Sequence, residues 1–90
     1  MVNPTKTRHE INPDLAKALG LRFCAERHAR TLSHQEVADA LLFSKLQVVG
    51  LETGDPKSFY SAKMFGQAAD KYAKFLAFDD KPSESLYRSN

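Results

Sequence analysis

The sequence lacks the features that mark several large classes of protein. It has a single cysteine, Cys24, so no intramolecular disulfide can form. No run of residues is long and apolar enough to span a bilayer. The N-terminus has neither the apolar core nor the small-residue cleavage site of a secretory signal. We therefore expect a cytoplasmic protein without a membrane span.

Residues suited to catalysis or metal binding are also scarce. The chain has three histidines and no glycine-rich phosphate loop, and its spacing brings no acid–base pair together. Cys24 and His28 are four residues apart, but two ligands do not make a zinc site and no second pair follows. A lone cysteine in a helix is usually a small buried hydrophobe. We predict that the chain is not an enzyme and binds no metal or cofactor.

The length and charge of the chain restrict its organisation without naming a partner. Ninety residues allow one compact core, and a formal net charge of +2 is too mild to indicate nucleic acid by itself. Composition predicts a flexible leader over residues 1–11, which carries Lys6 and Arg8, and a flexible tail over residues 80–90. Residues 12–79 remain for the folded domain.

Capping signals predict where the helices begin. Asn-Pro at residues 12–13 supplies an N-cap and a first helical proline. Ser-x-x-Glu at residues 33–36 and Ser-x-x-Gln at residues 44–47 are capping boxes, and Gly54 is a natural left-handed C-cap. The predicted helices run over about 12–28, 33–41, 44–53 and from Ser58 or Ser61 to Phe78.

The spacing of the helices indicates how they pack. Two capped helices about four residues apart cannot be collinear, so they must cross as in a helix-turn-helix. Such a pair cannot bury its own apolar face, and the flanking helices complete the core. We expect Phe65, Tyr72 and Leu76 to pack on Leu19, Phe23, Val37 and Val48.

Two segments resemble a known family. Residues 31–54, T-L-S-x-x-E-V-A-x-x-x-x-x-S-x-x-x-V-x-x-L-E-x-G, resemble the Cro/C1 (Xre-type) helix-turn-helix. Residues 51–55, L-E-T-G-D, and 72–79, Y-A-K-F-L-A-F-D, are similar to the cytoplasmic helix-turn-helix domain of RodZ-like bacterial proteins. The resemblance implies an all-α, four- or five-helix, lambda-repressor-like bundle that contains a helix-turn-helix. It also implies two functions of different classes.

The first implied function is binding of double-stranded DNA by a bacterial transcriptional regulator. In the Xre group the third helix, here about residues 44–53, enters the major groove. With Val48 and Leu51 facing the core, helical geometry turns Lys45, Leu46, Val49 and Gly50 outward, although only Lys45 among these four can hydrogen-bond a base edge. The start of a helix can also bind a phosphate, because its first backbone N–H groups lack intrahelical acceptors. The predicted DNA-binding residues are His34, Gln35, Ser44, Lys45, Leu46, Gln47, Val49 and Gly50.

The second implied function is that of a RodZ-like protein–protein adaptor that uses the fourth helix and does not bind DNA. Its partner is a protein, such as a cytoskeletal one. Phe59, Tyr60, Phe75 and Phe78 are more aromatics than one helix face can bury, so some of them should be exposed and able to anchor a partner. The sequence also leaves a homodimer open.

Two further expectations concern the turn and the core. The turn of a helix-turn-helix usually carries a glycine with a positive φ, and the matching residue is Leu42. Either this turn has another shape or packing of Leu42 offsets the strain. Arg27 and Glu52 match the positions of a partly buried ion pair in the Xre group, and we expect the two side chains to be in contact.

Overall fold

The computed structural model describes residues 10–87, and they form an all-helical bundle. Within this range the backbone forms no strand, only one isolated antiparallel bridge between Ile11 and Tyr87. None of the described helices is long and apolar enough to cross a membrane. The elements are α1 (Pro13–Ala29), α2 (His34–Leu41), α3 (Lys45–Thr53), a 3₁₀ turn (Pro56–Ser58), α4 (Ala62–Phe75) and α5 (Ser83–Leu86).

The predicted caps define the first three helices. Asn12 Oδ1 accepts from the backbone N–H of Asp14 at 3.0 Å, and a proline follows the cap. Both capping boxes are complete, because each cap serine accepts from the backbone three residues on and that residue's side chain accepts from the serine N–H. Each pair satisfies donors that a helix start leaves without partners. The bounds of α1, α2 and α3 agree with the prediction to within about a residue.

One hydrophobic core joins the helices. The rings of Phe23 on α1 and Tyr72 on α4 stack with centroids 4.4 Å apart, and the Phe78 ring stacks on Phe23 with centroids 5.6 Å apart. The core residues predicted from the helical spacing are all buried in this cluster, which confirms that prediction. They are Leu19, Phe23, Val37, Val48, Phe65, Tyr72 and Leu76.

The fourth helix is shorter than predicted. Ser61 caps it, with Oγ accepting from the Met64 N–H at 3.1 Å, and the helix ends at Phe75 rather than Phe78. Ala77 has a φ of 61°, so the chain leaves the helical path there. This turn allows Phe78 to fold back onto Phe23, an arrangement that a continuous helix would not give.

The chain beyond residue 80 corrects the predicted tail. Leu86 in α5 is buried in the core, and its carbonyl accepts from the Asn12 N–H at 2.9 Å. The Asp70 carboxylate on α4 accepts hydrogen bonds from both the backbone N–H and the hydroxyl of Ser83. These bonds attach the start of α5 to α4. Residues 82–87 are thus packed on the bundle because one apolar side chain and one capping carboxylate hold them. Residues 88–90 lie outside the described part.

Candidate nucleic-acid interface

The start of α2 presents one of its two predicted contact residues to solvent. Gln35 is exposed, and its amide donates to Asp39 Oδ1 at 2.9 Å, an i, i+4 contact on the helix surface. His34 is half-buried instead, and its Nε2 lies 3.0 Å from Glu52 Oε1. The predicted phosphate contact by His34 therefore competes with an internal hydrogen bond.

The start of α3 carries the exposed part of the candidate interface. Ser44 and Lys45 are exposed, and the Leu46 side chain is 71% exposed. Gln47 is half-buried, and its side-chain amide is already engaged, because its oxygen accepts from the Ser44 N–H at 2.9 Å and its nitrogen donates to the Ser58 carbonyl at 3.4 Å. Val49 is half-buried. Lys45 is thus exposed at this helix start, whereas the Ser44 hydroxyl already accepts from the Gln47 N–H at 3.1 Å.

The outward placement predicted for Gly50 was wrong. Gly50 is buried, and a Cβ built on it would lie 2.7 Å from the Asp55 carbonyl oxygen and 3.9 Å from the Phe59 ring. The segment after α3 folds back across this residue, and the Asp55 N–H donates to the Gly50 carbonyl at 2.9 Å. The glycine is needed because two backbone segments approach closely there.

The link between α2 and α3 has a left-handed residue. Leu42 takes φ 61° and ψ 40° at the C-cap of α2, so it has the conformation in which glycine is favoured. Its side chain is 86% exposed, so packing does not offset the cost of about 1–2 kcal/mol for a bulky residue in this region. The turn therefore has a positive φ at Leu42, and packing of the leucine side chain does not relieve the backbone strain.

The buried carboxylate of Glu52 makes hydrogen bonds that join the four main helices. Glu52 on α3 accepts from Arg27 Nε on α1 at 2.6 Å, and from the Tyr72 hydroxyl on α4 at 2.7 Å. Arg27 Nη2 donates to the other carboxylate oxygen at 3.1 Å, and His34 on α2 reaches that same oxygen. Arg27 and Glu52 are thus an ion pair, with both side chains almost fully buried.

The charges in this cluster are mutually stabilised. Burial raises the pKa of Glu52, but hydrogen bonds from Arg27, Tyr72 and His34 outweigh it and hold that pKa below its ordinary value. The hydrogen bond to Glu52 raises the pKa of Arg27. Burial, followed by the hydrogen bond to the carboxylate, raises the pKa of Tyr72, which stays a neutral donor. Within the cluster, Arg27 is therefore held as a cation and Glu52 as an anion.

Sequence reasoning missed two partners of Glu52. The sequence predicts Tyr72 as an apolar core residue and His34 as a DNA-binding residue. A signal existed for the tyrosine, because a buried phenolic hydroxyl usually requires a hydrogen-bond partner. No comparable signal existed for the histidine, because its contact depends on how α2 lies across α3.

The aromatic residues predicted for a protein-binding surface divide into two groups. Phe59 is half-buried with its ring edge-on to Phe65 at 5.4 Å, and Phe78 is half-buried between Phe23 and the guanidinium of Arg22. Tyr60 is 96% exposed and Phe75 36% exposed. The exposed aromatic surface that the sequence predicted therefore rests mainly on Tyr60.

Lys6 and Arg8 lie outside the described residues. Within residues 10–87, no group of three His, Cys, Asp or Glu side chains is arranged to hold a metal ion.

Comparison of the chain with protein-family models, curated proteins and solved structures found no match.

Proposed function

We propose that this chain is a helix-turn-helix module that binds double-stranded DNA, with α3 in the major groove, and that it serves as a bacterial transcriptional regulator. The observation that carries the proposal is the exposed start of α3, where the Lys45 and Leu46 side chains are open to solvent beside the turn after α2. Leu42 has φ 61° at the position where a helix-turn-helix needs a positive φ, although leucine is a costly residue there. Many helices end in a left-handed residue, so this φ is compatible with a helix-turn-helix that binds DNA and equally with one that binds a protein.

The contact surface consists of the exposed residues at the starts of α2 and α3. Lys45 follows the cap of α3 and is a donor for a guanine edge or a phosphate. Leu46, exposed beside it, suits contact with a thymine methyl group. Gln35 and Ser44 lie at helix starts, where backbone N–H groups without intrahelical acceptors suit phosphate oxygens.

His34 and Glu52 act as positioning residues in this proposal. The imidazole of His34 connects the first residue of α2 to Glu52 near the end of α3. Arg27 and Tyr72 attach the same carboxylate to α1 and α4. The two helix starts are therefore held in one relative orientation before DNA is bound, which reduces the entropy lost on binding.

An NMR titration with random-sequence duplex DNA at low and moderate salt tests the proposal. Backbone shift changes should centre on Gln35, Ser44, Lys45 and Leu46, and should shrink as salt rises, because phosphate contacts release counterions. Lys45→Ala should weaken binding, whereas Lys74→Ala, which removes an exposed lysine from the last turn of α4, should not. An intact fold without shift changes at low salt would overturn the proposal.

A second candidate function, a protein-binding adaptor, is favoured by one specific observation. Tyr60 is 96% exposed, and an aromatic side chain that is almost fully exposed contributes little to folding. For an adaptor, Tyr60→Ser should weaken partner binding more than Lys45→Ala, with little effect of salt. For a DNA-binding module the order is reversed. Phe78 is a poor probe because its stacking on Phe23 makes its removal destabilising.

A further inference from the structure

A lysine on α4 contacts the strained link between α2 and α3. Lys71 Nζ donates to the Leu41 carbonyl at 2.9 Å and lies 5.3 Å from the centroid of the Phe43 ring. Leu41 is the last residue of α2, and Phe43 precedes Ser44, the cap of α3. One ammonium group therefore contacts the residue on each side of Leu42, whose backbone is left-handed.

Both contacts of Lys71 are favourable for a cation. The Leu41 carbonyl is one of the last four of α2, which have no intrahelical donor, and a helix dipole favours positive charge at this end. α2 has no basic residue of its own in its last turn, so the charge comes from α4. An ammonium within about 6 Å of an aromatic ring centroid is attracted to the ring face. Lys71 therefore attaches the end of α2 and the approach to α3 to one point on α4.

Backbone hydrogen bonds hold the same link from the α2 side. The N–H groups of Leu42 and Phe43 both donate to the Ala38 carbonyl. A residue in a sparsely populated backbone conformation persists only where its surroundings determine that conformation through several contacts. The Leu42 side chain adds little to these contacts, because it is exposed. Lys71 supplies contacts from the opposite side of the link.

We infer that Lys71 is a positioning residue for the proposed DNA-binding face, because it holds Leu42 in the left-handed conformation. The inference rests on the proposed function and adds to it a residue outside the helix-turn-helix. Lys45 and Leu46 follow Leu42 by three and four residues, so the backbone of the link sets where their side chains point. Lys71 acts through the link and not on the duplex, because its ammonium is engaged by the link itself.

Backbone NMR of the DNA-free chain tests whether Lys71 holds the link. Lys71→Met keeps a long side chain without the ammonium, so the amide signals of residues 42–46 should move while the helical circular dichroism stays. Lys71→Arg, which keeps a cation and its donors, should leave these signals near their wild-type positions. Lys74→Met is the matched control, because Lys74 is an exposed lysine in the last turn of the same helix. Unmoved signals in Lys71→Met, or equal movement in Lys74→Met, would overturn the inference.

DNA binding separates a positioning role from a direct phosphate contact. Fluorescence anisotropy with a random-sequence duplex should show Lys71→Met binding at least about threefold more weakly, because only molecules that keep the left-handed link remain competent. The dependence of affinity on salt should keep its wild-type slope, whereas loss of a phosphate contact would reduce that slope by about one. Such a reduced slope, or wild-type affinity in Lys71→Met, would contradict the positioning role.

Leu42→Gly provides a rescue that a merely structural role of Lys71 would not give. Glycine adopts a positive φ without support from α4. Lys71→Met should therefore weaken DNA binding less in the Leu42→Gly background than in the wild type, and an equal loss in both backgrounds would overturn the inference. A wild type that binds no duplex would contradict the proposed function, while the NMR signals would still show whether Lys71 holds the link. A wild type that binds DNA, with unmoved signals in Lys71→Met, would contradict only the inference.

Discussion

The two ends of α3 differ in burial, in hydrogen bonding and in the backbone strain beside them. At its C-terminal end, Glu52 is buried and accepts hydrogen bonds from three other helices. At its N-terminal end, Lys45 and Leu46 are exposed and the preceding turn contains a strained Leu42. One nine-residue helix thus separates the contacts that stabilise the fold from the side chains available to a ligand. Mutations at the two ends should therefore have different consequences.

The largest expected effect is on the buried end. Glu52→Ala should lower the free energy of unfolding by about 3–5 kcal/mol, because it leaves the Arg27 guanidinium buried without its carboxylate. Urea denaturation followed by circular dichroism measures this. Lys45→Ala is the control at the other end of α3 and should change stability by less than about 0.5 kcal/mol. Similar losses in the two variants would remove the distinction between the ends.

A truncation in the apolar core should have a comparable effect by a different mechanism. Leu76→Ala should cost about 2–5 kcal/mol, the range for removing a buried leucine and leaving a cavity. The same urea titration measures it. Unlike the Glu52 variant, this one should keep the pH dependence of the wild type. A loss below about 0.5 kcal/mol would mean that Leu76 does not pack in the core as described.

The buried carboxylate should also make stability depend on pH. The pKa of Glu52 is lower in the folded state than in the unfolded chain, so the unfolded chain binds the extra proton first. Its contribution is therefore complete above the unfolded pKa and is lost as pH falls through the folded pKa. Urea titrations from neutral to acidic pH should show this loss, and it should be reduced in Glu52→Gln. An identical acid dependence in that variant would exclude Glu52 as the source.

The smallest expected effect is at the strained turn, and it has the opposite sign. Leu42→Gly should raise stability by about 0.5–1 kcal/mol, because glycine adopts the positive φ without strain and an exposed leucine loses few contacts. Thermal denaturation detects a change of this size. Gly54, which already caps α3 with φ 73°, shows the same conformation without the penalty. Destabilisation by Leu42→Gly would show that the leucine side chain supports the turn.

Sequence alone predicted the parts of the fold that depend on local chemistry. The capping boxes at Ser33 and Ser44 involve residues three apart, so the helix starts can be derived from short patterns. Helical spacing likewise identified the core positions on each helix. The resemblance to the Xre group supplied the Arg27–Glu52 pairing, which no local pattern indicates.

The parts that sequence did not predict depend on contacts between distant segments. Gly50 is buried because the chain near Asp55 and Phe59 returns across α3, and no short pattern describes that path. The four-residue α5 is too short for a periodic signal, and its place is set by Leu86 in the core and by Asp70 on α4. His34 is drawn inward by Glu52, eighteen positions away in the chain. Tertiary packing decides each case.

The dependence of DNA affinity on salt tests the central claim most directly. Fluorescence anisotropy with a labelled random-sequence duplex should show affinity falling by at least about tenfold between 50 and 200 mM salt, as roughly two or more neutralised phosphates require. Lys45→Ala should reduce the slope by about one, if its ammonium contacts a phosphate. Affinity that does not change with salt, or a Lys45→Ala protein that binds like the wild type, would contradict the assignment of the α2–α3 face as a DNA-binding surface.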